Sequence, residues 1–145
     1  MFAKAYAFDI SAPKYAGDNL GIETEYGLYS QRDMFALNLA LTVADKCQDR
    51  NIRICEIGGG VGHLAFYLHR LGFRNLTIVD LPTISTLQMY FLGTNLSRYN
   101  GITFMPTGEF TGDYDLVINA DSFIEMSRES ATQYLDLIKK NAKHL

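Results

Sequence analysis

The chain has 145 residues, is 48% hydrophobic and 20% charged, and carries a formal net charge of -3. Its length points to one domain, and its apolar share is enough for a packed core, which excludes a disordered chain. The charge implies no basic face and argues against nucleic-acid binding, and no apolar run approaches the roughly 18 residues of a membrane span.

Residues 1–30 are punctuated by Pro13, Gly17, Gly21 and Gly27, and Tyr6, Tyr15, Tyr26 and Tyr29 follow no helical or strand period. This stretch reads as an irregular N-terminal arm packed over the domain surface, with a lid over an active site as the alternative. Its first ten residues lack the long apolar stretch of a signal peptide. The domain proper is expected over 31–145. Ser30 can cap a helix over about 31–48, with Met34, Leu37, Leu41 and Ala44 on one stripe and Phe35, Leu39 and Val43 on a second. Asp45, Gln48, Asp49 and Arg50 mark its wet end.

Ile52–Ile57 is apolar at most positions, as in a parallel strand buried on both faces. A glycine turn follows at 58–62, then a helix over about 63–71 with Leu64, Leu68 and Leu71 at helical spacing, closed by Gly72. Leu76–Val79 is the second strand and Asp80 closes it. Pro82 starts a helix that is expected to run to about Leu92 and stop at Gly93. Asn100-Gly101 is a turn, Ile102–Met105 a third strand, and Gly108 and Gly112 bracket a loop. Asp115–Asn119 is a fourth strand, 120–126 a loop, and 128–142 a last helix capped by Ser127, with Ala131, Tyr134, Leu135 and Ile138 on one face. Alternation of this kind predicts an α/β fold, Rossmann-like, with a mostly parallel sheet flanked by helices. The turn after the first strand then lies at the crevice where strand order reverses. Cys47 and Cys55 fall on a helix and a buried strand without metal-ligand spacing, so both read as reduced core residues of a cytoplasmic protein.

Strand, glycine turn and helix in succession form a nucleotide-binding unit, because glycine lets backbone N–H groups approach a ligand. The dinucleotide pattern G-x-G-x-x-G fails, since counting from Gly58 puts His63 at the third glycine. No Gly-Lys-Ser/Thr follows, so a Walker A loop is excluded. The spacing present is Glu56-x-Gly58-x-Gly60-x-Gly62.

Glu56-Ile57-Gly58-Gly59-Gly60-Val61-Gly62 resembles motif I of the class I S-adenosylmethionine-dependent methyltransferases, and Asp80 matches the acidic residue that family uses on the ribose. Asp80-Leu81-Pro82-Thr83 and the stretch 114–126 are similar to segments of sugar O-methyltransferases in that superfamily. The resemblance covers about residues 50–141. It implies S-adenosyl-L-methionine as cofactor and methyl transfer to a hydroxyl of a small molecule or glycan, with a sugar hydroxyl as the finer expectation. Gly58, Gly59, Gly60 and Gly62 would let the backbone approach the cofactor. Glu56 would lie under its amino group, Asp80 would take the ribose diol, and Leu81, Asn119, Asp121 and Ser122 would complete the pocket. Plain turn, capping and loop roles remain open for these residues. Arg32 could reach the cofactor carboxylate, with a surface role as the alternative.

A hydroxyl acceptor calls for a general base, and His63, Asp121 and Glu125 are the candidates. His63 also suits packing behind the turn. His63, His69 and His144 share no ligand spacing, so no metal site is expected. The family continues past the fourth strand, whereas this sequence stops at Leu145. The expectation is therefore a core truncated after that strand, an edge exposed there, and a homodimer formed through it. A module that binds the cofactor without catalysis is the alternative function. A nicotinamide-dependent oxidoreductase is argued against by the glycine register.

Overall fold

The computed structural model describes residues 9–17, 20–110 and 113–141. Strands β1 (Ile22–Thr24) and β2 (Gly27–Tyr29) form an antiparallel ribbon in which Thr24 pairs with Gly27. This ribbon replaces the irregular course expected for that part of the arm. Thr24 closes the turn, its Oγ1 donating to the Gly27 carbonyl at 2.9 Å and accepting from the Tyr26 N–H at 3.1 Å. All of β1 is exposed, so no apolar alternation marks it in the sequence. Residues 1–8 of the arm, with Tyr6, lie outside the described residues, as do 18–19, Gly112 and the end of the last helix.

The arm is tied down. The Tyr29 hydroxyl donates to the Ile10 carbonyl, Arg70 donates to the Ser11 carbonyl at 2.8 Å, and Lys14 exchanges two bonds with the Asn95 side chain.

Helix α1 (Gln31–Lys46) begins at a capping box in which Ser30 and Asp33 bond reciprocally. Its buried face differs from the expected stripes. Ala36, Ala40, Val43 and Ala44 are inside, while Met34 is 42% and Phe35 56% exposed. Small residues let α1 lie close against α2 (His63–Arg70), and the larger ones fall on two flanks. The wet end is only half wet, because Arg50 lies over the Phe73 ring and donates to carbonyls at the end of α1.

Strands β3 (Arg53–Ile57), β4 (Asn75–Asp80), β5 (Ile102–Pro106) and β6 (Leu116–Asn119) are all parallel, in the order β5-β4-β3-β6. Alternate side chains serve opposite faces. Ile54, Leu76, Ile78, Ile102 and Ile118 pack with α1, α2 and α3 (Pro82–Asn95). Cys55, Ile57, Val79 and Val117 pack with Tyr134 and Ile138 of α4 (Arg128–Asn141). Each such buried side chain contributes about 1.5–3 kcal/mol. This is the Rossmann-like α/β architecture expected.

Helix α2 is buried at every position from Leu64 to His69 and ends in a Schellman motif, with Gly72 N–H on His69 O at 3.1 Å and Phe73 N–H on Leu68 O at 3.1 Å. Helix α3 runs through Gly93 instead of stopping there. Thr94 and Asn95 each donate a side-chain bond to the Phe91 carbonyl, which holds the last turn against the cost of a helical glycine. The chain builds β4 and β5 on one side of β3 and then crosses to β6 on the other. The strand order therefore reverses between β3 and β6, where the glycine turn emerges. Among the described residues β6 pairs on one side only. Its Val117 and Ile118 are nevertheless buried, because their side chains point to the two faces and leave the edge to the backbone.

Candidate functional site

Three N–H groups of the glycine turn are held by the protein itself. Gly58 N–H donates to Val79 O at 2.8 Å, Gly62 N–H to Gly59 O at 3.0 Å, and Gly60 N–H to Asp80 Oδ2 at 3.1 Å. The glycines serve close approach. Gly58 has φ +72°, and a Cβ there would lie 2.1 Å from Ser122 Oγ. Gly60 has φ +54°, and a Cβ there would meet no atom within 4 Å. Gly58 therefore lets the turn pack against the loop after β6, while Gly60 presents an open backbone surface. At Gly59 a Cβ would press on Ile78 and on the Glu56 carboxylate, and Gly62 packs on Leu92 at the head of α2.

That open surface belongs to a cleft of about 500 Å³ between the turn, the start of α1 and the loop after β6. Glu56, Gly58, Gly59, Gly60 and His63 line one side of it. Asp121, Ser122 and Glu125 line the other, and Arg32 and Phe35 of α1 border it. The structure thus assembles most of the residues singled out from sequence. It leaves Gly62, Asp80, Leu81 and Asn119 out of the cleft lining.

Glu56 is 6% exposed, and its Oε2 is buried without a hydrogen-bond partner among the described residues. Burial pushes its carboxyl up to about 8, and the negative charge of Asp80 adds to the effect. An unpartnered buried carboxyl oxygen beside a cleft is an acceptor awaiting a donor, and a cationic one fits best.

Asp80 is 8% exposed and closely held. Its Oδ2 accepts from Gly60 N–H and from Gln88 Nε2 at 2.9 Å, and its Oδ1 accepts from Leu81 N–H at 2.8 Å. One lone pair, on Oδ1, remains for a ligand in this arrangement. Leu81 itself is 55% exposed at the head of α3. Gln88, fully buried, also donates to the Gly60 carbonyl at 2.8 Å. Sequence reasoning missed it. A usable signal was present, since Gln88 falls on the helix face that also carries Phe91 and Leu92, where an unforced polar residue is rare.

Asn119 and Ser122 turn inward. Both donate to the Ile57 carbonyl at 3.0 Å, and they bond each other. They splice the end of β6 to the end of β3. Between them Asp121 adopts φ +72°, a left-handed conformation that a short polar residue tolerates, and a 3₁₀ turn over Ser122–Glu125 follows. Asp121 and Glu125 are exposed at the cleft rim, and Arg32 is exposed across from them.

A second cluster links the arm to the cleft. Tyr15 donates to Asp33 Oδ1 at 2.6 Å, and His63 Nε2 lies 2.7 Å from the Tyr15 hydroxyl. Asp33 is fully buried, and its Oδ2 caps α1 through Ser30. Since the Tyr15 proton goes to Asp33, His63 donates to Tyr15 through Nε2–H, which fixes its tautomer and leaves Nδ1 as the basic nitrogen. Burial lowers the His63 pKa; Asp33 opposes this and Arg32 adds to it. Burial and the bond to Asp33 raise that of Tyr15. The sequence marks Ser30-x-x-Asp33 as a cap, and nothing local marks Tyr15 as its partner.

Among the described residues no group of three or more His, Cys, Asp or Glu could hold a metal ion, and no helix is long and apolar enough to cross a membrane. Cys47 and Cys55 are free thiols, the first half-buried and the second buried with its pKa pushed up to about 12 by burial.

No protein-family model matches this chain, and no curated protein matches it. Solved structures do. Magnesium protoporphyrin IX methyltransferase (ChlM) from Synechocystis PCC 6803 with bound SAM is 20% identical with a TM-score of 0.66, over 77% of this chain and 55% of that one. The glycopeptide N-methyltransferase MtfA complexed with sinefungin is 15% identical with a TM-score of 0.63, over 74% of this chain and 46% of that one. The mitomycin 7-O-methyltransferase MmcR is 18% identical with a TM-score of 0.60, over 77% and 36% respectively. The chain thus spans about half the length of the first of these structures and less of the others. At such identities the likeness is one of fold.

Proposed function

We propose that this chain binds S-adenosyl-L-methionine in the cleft at the β3–β6 reversal and directs its methyl group to an acceptor hydroxyl. The observation that carries the reading is Glu56 Oε2, buried and unpartnered at a cleft that the open face of Gly60 also lines. A ligand with a cationic amine and a flat nucleoside suits that pair. Fold neighbours that hold SAM and sinefungin support it.

When bound, the cofactor supplies an electrophilic methyl group on a sulfonium centre. The chain's residues do the rest by position and desolvation. Glu56 receives the ammonium, and Asp80 Oδ1 receives one ribose hydroxyl. Arg32 at the rim pairs with the carboxylate. Gly60 gives the nucleoside backbone contact. Asn119 braces the end of β3 beneath the turn, Leu81 would flank the ribose as the neighbour of Asp80, and Ser122 and Asp121 border the cleft. His63 is the leading base: its neutral ring takes the acceptor proton at Nδ1, with Asp121 and Glu125 as the other carboxylate choices.

The acceptor is a small molecule or glycan, and a sugar hydroxyl is the finer reading, resting on the Asp80-Leu81-Pro82 and 114–126 segments. The free edge of β6 is proposed to pair with a second copy in a homodimer in the cytoplasm. Light scattering at high concentration that reports a monomer overturns the dimer.

Calorimetry with S-adenosylmethionine, S-adenosylhomocysteine and NAD tests the cofactor; binding of NAD alone overturns the reading. Transfer of labelled methyl to a panel of glycans and small alcohols tests the activity. Tight binding with no transfer to any acceptor leaves a binding module.

A further inference from the structure

We propose that Gln88 is a positioning residue of the nucleoside site, locking Gly60 of the glycine turn and Asp80 of β4 into one rigid unit; this rests on the cofactor reading above. Three hydrogen bonds close a ring. Gln88 Nε2 donates to Gly60 O at 2.8 Å and to Asp80 Oδ2 at 2.9 Å, and Gly60 N–H donates to the same Oδ2 at 3.1 Å. Both partners of Nε2 are pure acceptors, so the amide nitrogen must face them and the orientation of the side chain is fixed. Both polar groups of the Gly60 peptide are thereby held, at the one position of the turn whose Cα faces open space.

The arrangement has a cost. Gln88 Oε1 is buried with no hydrogen-bond partner among the described residues. A leucine of similar size would carry no orphaned side-chain oxygen, but it would take a donor away from both the Gly60 carbonyl and Asp80 Oδ2. The benefit lies at the ligand side. Glycine at φ +54° is free to move, and a turn that moves must be ordered when ligand binds. Gln88 orders it beforehand. It also saturates Oδ2, so that Oδ1 alone meets the ribose.

The test uses the full chain with S-adenosylhomocysteine as probe, and Gly60 amide hydrogen exchange in the free protein as a readout that needs no ligand. In Gln88→Leu the Gly60 amide is expected to exchange about tenfold faster, while amides of β3 keep their rates, and the probe is expected to bind about tenfold more weakly. With Asp80→Asn already in place, Gln88→Leu is expected to add less than about twofold, because the residue acts through the carboxylate. Gln88→Glu keeps the shape and donates only when protonated, so its affinity is expected to recover as pH falls. Gln88→Met replaces the leucine variant if that fails to fold. Unchanged Gly60 exchange and unchanged affinity in Gln88→Leu overturn the proposal, as does full additivity with Asp80→Asn. A parent chain that does not bind the probe overturns the cofactor reading and this role within it, while Gly60 exchange still decides whether Gln88 holds the turn.

Discussion

The Tyr15 hydroxyl lies 2.7 Å from Nε2 of His63, which joins the N-terminal arm to the helix that leaves the glycine turn. The rings of both also pack near Phe91, with His63 and Phe91 centroids 5.0 Å apart. The arm is thus more than a cover over the domain surface. It supplies the contact that sets which nitrogen of His63 carries the proton, and behind Tyr15 stands the buried Asp33 carboxylate.

Tyr15→Phe keeps the ring contacts and removes only the hydroxyl. Asp33 Oδ1 then loses its donor, and an unpartnered buried carboxylate oxygen costs about 1–3 kcal/mol. The free energy of unfolding is expected to fall by that amount, and the melting temperature with it. Imidazole ¹⁵N shifts are expected to change from a single Nε2–H tautomer to a mixture. A variant that keeps the parent's tautomer would show that Tyr15 only packs.

The same environment sets the pH at which His63 can act as a base. Burial lowers its pKa below the ordinary imidazole value of 6.5. The ring is therefore neutral at pH 7, and it becomes protonated only further into acid. If His63 takes the acceptor proton, the acid limb of kcat/KM for methyl transfer lies below pH 6.5, and His63→Gln removes that limb and most of the rate. A variant that keeps the limb transfers the role to Asp121 or Glu125.

How far the sequence disclosed this arrangement depended on the range of the interactions. Strands and helices were legible because Gly58, Gly72, Pro82 and Gly101 mark their ends with local backbone chemistry. One wall of the cleft was legible for the same reason, since Glu56 and the glycines that line it are neighbours in sequence. The ribbon β1–β2 was not, because its first strand buries nothing and so has no apolar period. Gln88 and Asp33 were not, because their partners, Gly60 and Tyr15, lie 28 and 18 residues away. The partners of the Gly58 and Gly60 N–H groups were hidden for a related reason. Their acceptors, Val79 O and Asp80 Oδ2, come from the next strand, and only the sheet brings them near.

Glu56 links stability to pH in a direction opposite to most carboxylates. Its folded pKa of about 8 lies above the ordinary 4.5, so the folded chain holds a proton that the unfolded chain has released. The resulting stabilisation is fully present below about pH 4.5 and fades as pH rises through about 8. Glu56→Gln removes the ionisation, and is expected to be more stable than the parent at pH 8–9 by on the order of a few kcal/mol, with the gap closing in acid. Melting curves across that range check it. Ligand binding runs the other way. An ammonium group favours the ionised carboxyl, so binding at pH 7 is expected to release a proton, visible as buffer-dependent heat, and Glu56→Gln is expected to lose affinity.

Gly58 and Gly60 separate folding from binding within one turn. Both have positive φ, so alanine at either position is strained by about 1 kcal/mol. At Gly58 the new methyl would also lie 2.1 Å from Ser122 Oγ, which is itself held to the Ile57 carbonyl. Gly58→Ala is therefore expected to destabilise by more than about 2 kcal/mol, and Ser122→Gly in the same chain should restore part of the loss. At Gly60 the methyl enters open space in the cleft. Gly60→Ala is expected to unfold within about 1–2 kcal/mol of the parent yet bind S-adenosylhomocysteine at least about tenfold more weakly, because the methyl occupies the surface the nucleoside needs. Denaturant melts paired with calorimetry resolve the two effects. Equal affinity in Gly60→Ala and the parent would place the nucleoside elsewhere and would leave Glu56 as the cleft's one argument for the cofactor.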